Sequence, residues 1–111
     1  MRNISFSLTT PQFVARTKTV TRRLGWTFLR AGDVLRGVEK GMGLKKGEKV
    51  KALGEIRVVD VRSEPLSAIT DEDVAREGFP DWTVQQFIDF FCRHNHVDPT
   101  GPVTRIEFEY L

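Results

Sequence analysis

The sequence predicts an α+β fold, and three observations carry that expectation. Strand-like segments dominate residues 1–62, and two capped helical segments follow. The chain then closes on a segment that alternates apolar and polar residues more cleanly than any other. Such a closing strand is expected to pair with the early strands. The result would be a small curled sheet or barrel with the helices packed against it.

Each element has a local reason. Ile4-Ser5-Phe6-Ser7-Leu8 alternates apolar and small polar residues, a short strand signal. Thr10-Pro11 opens a helix of one to two turns over Gln12–Arg16, because proline fits the first helical turn. Thr17 to Arg23 is β-branched at every second position as far as Thr21 and reads as extended chain. Arg30-Ala31-Gly32-Asp33 is a turn, and Val34–Val38 is the next strand. Residues 40–48 concentrate glycine and lysine and read as an exposed, mobile loop. Val50–Val61 reads as a long strand or hairpin with a bulge at Gly54.

The character changes after residue 62. Thr70 caps a helix whose first turn carries Asp71, Glu72 and Asp73, carboxylates suited to the positive helix end. Gly78 should stop it. Thr83 and Gln86 form a capping box for a second helix, with Val84, Phe87, Ile88 and Phe91 on one apolar face. Asp98–Pro102 is a turn. In the closing strand Ile106, Phe108 and Tyr110 point one way, and Arg105, Glu107 and Glu109 the other.

The formal charge of +2 conceals two opposed halves. Residues 1–62 carry a balance of +9 and residues 63–111 a balance of −7. Such asymmetry points to an anionic partner on one side, or to mutual attraction of the halves across the fold. With 9 Gly, 5 Pro and 1 Cys among 111 residues, collagen-like, low-complexity and disulfide-scaffold classes are excluded. The start has no apolar run of signal-peptide length, and no stretch reaches the ~18 apolar residues of a membrane span. With the lone Cys92, this fits a cytoplasmic setting without membrane contact.

Three constellations carry candidate chemistry. Cys92, His94 and His96 have ligand-type side chains, and the first and last share a helix face. A second pair to complete a zinc site is missing from the sequence, so neither metal nor cofactor is expected. Gly41, Gly43 and Gly47 miss the phosphate-loop patterns, although the neighbouring lysines can touch a phosphate backbone. Lys18, Thr19, Thr21, Arg22 and Arg23 place hydroxyls, an amine and guanidiniums within one short segment. Threonine is a nucleophile only when a base removes its proton, and lysine is that base only when burial or cationic neighbours lower its pKa. On a regular strand Thr19, Thr21 and Arg23 share one face and Lys18, Val20 and Arg22 the other. A turn or bulge is then needed to bring Lys18 beside Thr21.

The order Thr17–Arg23, Gly32-Asp33-Val34-Leu35, Glu77 in an acidic helix, and Ile106-Glu107-Phe108 resembles the ASCH domain family. The resemblance covers residues 1–111 as a single domain and implies a PUA-like β-barrel. Of the family signature Gly-x-Lys-x-x-x-x-Arg, Lys18 and Arg23 match, while Arg16 stands at the glycine position. Small bacterial members are amidohydrolases that deacetylate N4-acetylcytidine with Thr, Lys and Glu. The resemblance carries these roles to Thr21, Lys18 and Glu77, with Lys18 as base or oxyanion stabiliser and Glu77 positioning Lys18 or passing a proton. The implied substrate is a modified pyrimidine nucleoside or nucleotide, with Arg22, Arg23 and Trp26 as substrate or phosphate contacts. Other members bind RNA or cleave it, so an RNA-binding module and a ribonuclease are the alternatives. In the first of these Trp26 or Trp82 would stack on a base. The pocket is expected at the seam between the basic and acidic halves.

Overall fold

The computed structural model describes residues 1–40 and 46–111. Its elements in order are β1 (Arg2–Ser5), α1 (Thr10–Val14), β2 (Val20–Arg23), β3 (Val34–Val38) and β4 (Ala52–Pro65). A 3-10 turn (Leu66–Ala68), α2 (Asp71–Arg76), α3 (Val84–Asn95) and β5 (Pro102–Tyr110) follow. The strands form one sheet in the order β1-β3-β4-β5-β2, so β1 and β2 are its edges. β1 runs parallel to β3, and the other three pairings are antiparallel. The sheet curls into a half-barrel with helices against it. The Arg23 guanidinium lies 4.9 Å from the centre of the Phe6 ring, which brings the β2 edge against the segment leaving β1.

Most of the expected elements form, with shifted ends. β1 stops at Ser5, and Phe6 turns into the core with its amide bonded to Val38. The extended segment after α1 becomes ladder-paired strand only at Val20. The expected bulge at Gly54 appears as a register shift: Gly37 faces Gly54, and Val38 faces Ala52. Of the expected glycine–lysine loop, residues 41–45 lie outside the described residues, and residues 46–50 are exposed.

Two apolar clusters hold the elements. Ile4, Phe6, Phe13, Leu35, Ile56, Val58, Ile106 and Phe108 are among those lying inside the curl. Leu66, Ile69, Val74, Phe87, Ile88, Phe91 and Val103 join the helices to the far end of β5. α1 is seated by Phe13. A β-carbon at position 37 would sit 2.4 Å from the Phe13 ring, so Gly37 supplies the space that the ring fills. Thr70 and Thr83 cap their helices as expected, and Thr83 forms the full capping box with Gln86.

The closing strand departs from simple alternation. Arg105 was expected to face water, yet it is buried along with Val103, Thr104 and Ile106. α2 covers the second face of the sheet there. Asp73 on α2 accepts from Arg105 Nε at 2.7 Å and Nη2 at 3.1 Å, and from Arg22 Nη2 at 2.6 Å. Arg22 and Arg105 are directly opposed across β2 and β5, and Asp73 offsets that repulsion.

Candidate active site

The end of α2 shows why Lys18 and Glu77 meet. The last carbonyls of a helix have no partner within the helix. Gly78, at φ +107°, ends α2 in a Schellman motif: its amide bonds Ala75 at 3.0 Å and the Phe79 amide bonds Val74 at 3.2 Å. The Arg76 and Glu77 oxygens are left to others. Thr19 N–H donates to the Arg76 oxygen at 2.8 Å, and Lys18 Nζ donates to the Glu77 oxygen at 2.9 Å. Lys18 Nζ also donates to Glu77 Oε1 at 2.8 Å, and Arg22 Nη1 donates to Glu77 Oε2 at 3.0 Å.

The turn that delivers Lys18 forms without the signature glycine. Arg16 itself takes φ +62°, with its guanidinium 5.4 Å from the centre of the Tyr110 ring. The Tyr110 hydroxyl donates to the Lys18 main-chain oxygen. Because β2 begins only at Val20, Lys18 is free of the strand's strict alternation. It lines the same cavity as Thr21, Arg22, Arg23 and Glu77.

That cavity measures about 230 Å³. Its floor is closed: Lys18, Thr21 and Glu77 are 3%, 2% and 2% exposed. One wall is aromatic, built by Phe79, Phe87, Phe90 and Phe91, and the rim carries Ser7, His94 and Asn95. Thr21 Oγ1 accepts from Arg23 Nε at 3.0 Å.

Solved structures place this architecture. An ASCH domain from Lactobacillus crispatus JV V101 superposes with a TM-score of 0.66 at 14% identity, covering 98% of this chain and 79% of that one. Protein EF3133 from Enterococcus faecalis V583, of the DUF984 family, gives a TM-score of 0.65 at 17% identity, covering 92% of this chain and 69% of its own. The hypothetical protein PH0355 gives 0.68 at 14% identity, with both chains covered completely. The chain has the fold of an ASCH domain. No protein-family model matches the sequence, and neither does any curated protein.

Within this ASCH-type fold the electrostatics are those of a crowded, buried site. Burial pushes the Lys18 amine below its ordinary value of 10.5. The Glu77 carboxylate pulls it back by charge and hydrogen bond, and Arg23 and Arg22 push it down again. Burial also lowers Arg23 to about 10, so it remains cationic at neutral pH. Arg22 lines the cavity and spends both terminal nitrogens on Glu77, Asp73 and Glu64, while its Nε is buried with no hydrogen-bond partner among the described residues. Among the described residues only Nε of Arg23 has a hydrogen-bond partner, so its other two nitrogens remain available to a ligand.

Trp26 does not join the cavity. It packs on the inner cluster beside Phe28, with ring centres 5.6 Å apart. Trp82 stacks on Phe79 at 4.0 Å and also lies outside the lining. Cys92 packs against the helical cluster, and His96 caps α3 in a left-handed conformation, φ 55°. His94 reaches the rim instead, edge-on to Phe90 at 4.7 Å. The sequence assigned Phe87 and Phe91 to the core alone, offered His94 only as a metal-ligand type, and gave no sign of Phe79, Phe90 and Asn95 at the cavity. The five cavity positions on α3, 87, 90, 91, 94 and 95, keep helical spacing, and that periodicity was the available signal.

Proposed function

We propose that this protein is a hydrolase that cleaves the amide of an N4-acylated cytidine or a related modified pyrimidine nucleoside or nucleotide. Thr21 is the nucleophile, Lys18 the proton carrier, and Glu77 the residue that positions Lys18. One observation carries the reading: Lys18, Thr21 and Glu77 line one cavity, and Lys18 Nζ is held by two acceptors of the same residue. A neutral amine has two N–H bonds and one lone pair. With both N–H groups on Glu77, the lone pair is left over for a proton from Thr21.

The steps balance. Thr21 Oγ attacks the acyl carbon while its proton moves to Lys18 Nζ. The C–N bond breaks, and Lys18 returns that proton to the departing amine. Water then attacks the Thr21 ester through Lys18, releasing the carboxylic acid and restoring the hydroxyl. The Thr21 hydroxyl accepts from Arg23 Nε and keeps its own O–H to donate. The free nitrogens of Arg23 suit the developing oxyanion. Glu77 Oε1 accepts from Lys18 and Oε2 from the Arg22 guanidinium, which favours positioning over proton donation. The Phe wall offers a planar ring a face to stack on. The test is a panel of N4-acylated cytidines, the matching bases and the matching nucleotides. Hydrolysis of at least one acylated cytidine is expected, and none on any member contradicts the proposal.

A second reading, RNA binding, is favoured by one observation. A second cavity shares Ser7 with the first and is lined by Lys40, Lys49 and Lys51 beside Glu39 and Glu48. Lysines along such a groove suit a phosphate backbone, with affinity that falls steeply as salt rises.

A further inference from the structure

The Glu77 main-chain oxygen belongs to the peptide unit that joins Glu77 to Gly78. Any tilt of Gly78 therefore moves an acceptor of Lys18. Gln12 lies against both partners, the lysine segment and Gly78. Its main-chain oxygen accepts from Thr17 N at 3.0 Å and Lys18 N at 3.4 Å, which fixes the start of the lysine segment. Its side chain packs closely over Gly78: a β-carbon there would lie 2.7 Å from Gln12 Cγ and 2.8 Å from Cβ. Phe13, the next residue, anchors α1 in the space above Gly37, so Gln12 sits on a fixed support. The contact is kept although Gln12 Oε1 is buried with no hydrogen-bond partner.

We propose that Gln12 is a positioning residue that, through Gly78, holds the Glu77 main-chain oxygen on Lys18 and so aims the free position of the Lys18 amine into the cavity. Its kinetic consequence rests on the hydrolase reading; its geometric consequence does not. The acting part of Gln12 is its β- and γ-carbons, the atoms nearest Gly78, and not its amide.

The experiment compares the unaltered protein with Gln12→Ala and Gln12→Met. Two readouts are taken: kcat and KM on N4-acetylcytidine, and the nitrogen NMR signal of the Lys18 ammonium below its titration point. Gln12→Ala is expected to lower kcat about tenfold with little change in KM, as a small misplacement of a reacting group does. It is also expected to broaden the ammonium signal. Gln12→Met, which keeps Cβ and Cγ, is expected to retain the kcat and the signal. If Gln12→Ala does not fold, Gln12→Ser, which likewise lacks Cγ, takes its place with the same expectation. A Gln12→Ala protein with unaltered kcat and a sharp signal overturns the proposal, as does a Gln12→Met protein as impaired as Gln12→Ala. If none of the proteins hydrolyses any member of the acylated panel and the signal broadens only in Gln12→Ala, the positioning role stands and the hydrolase reading falls.

Discussion

Arg16 carries a local tension that bears on the site. A non-glycine residue at φ +62° is strained by roughly 1–2 kcal/mol, and its contact with the Tyr110 ring returns ~0.5–1 kcal/mol at an exposed position. Arg16→Gly should therefore change stability by less than about 1 kcal/mol, whereas β-branched Arg16→Val should destabilise by more than that. Urea unfolding of the two variants checks this. At Lys18 the lowered pKa sets a direction for activity. The rate should rise with pH as the amine loses its proton, on a limb lying below the ordinary lysine value of 10.5. Stability should rise over the same window, because there the unfolded chain holds the proton that the folded chain has lost. A pH–rate profile with no such limb, in a protein that is otherwise active, counts against Lys18 as the base. Lys18 and Glu77 stand 59 residues apart, and local pattern does not join them. Only the resemblance paired them, and the unsatisfied carbonyls at the end of α2 supply the physical reason.

Among the elements, helix starts were the most readable features. Thr70 and Thr83 act locally, through oxygens that reach amides three residues on, so their sequence signals survive folding. Removing the box with Thr83→Ala should destabilise by about 1 kcal/mol, measured as a shift of the urea midpoint. The fate of Arg105 was not readable, because alternation along β5 says nothing of a helix that arrives from elsewhere to cover one face. Asp73 on that helix is held well below its ordinary 3.8, first by the hydrogen bonds from Arg105, with Arg22 adding to them and burial opposing. A depressed carboxylate stabilises the fold above its unfolded pKa and loses that contribution as pH falls toward its folded value. Stability should thus decline below about pH 4. Asp73→Asn should flatten that decline and weaken the fold at neutral pH by about 3 kcal/mol, because Arg22 and Arg105 lose their shared partner. Thermal unfolding at pH 3 and pH 7 separates the two effects.

For the whole molecule, the opposed charge of the two halves becomes a location. The cavity takes Lys18, Arg22 and Arg23 from the basic half and Glu77 from the acidic half, and it opens where the two sheet edges approach. The asymmetry therefore serves partly to hold the fold together, since Arg22 is bound to Asp73, Glu77 and Glu64. Exposed cations lie away from this network, Lys40, Lys49 and Lys51 among them, with Lys51 paired at 3.4 Å to Glu39. If RNA is a partner, its affinity should fall linearly on a log–log plot against salt, and substituting these lysines should reduce the slope. Affinity that is unaffected by salt contradicts an RNA role. Thr21, 2% exposed at the floor of the cavity, is the residue on which the proposed hydrolysis depends. The direct measurement is the hydrolysis rate of N4-acetylcytidine by the unaltered protein, Thr21→Ser and Thr21→Ala under identical conditions. The account predicts activity in the first two and a loss of at least about a thousandfold in Thr21→Ala, as expected when a covalent nucleophile is removed. Undiminished hydrolysis by Thr21→Ala would contradict it.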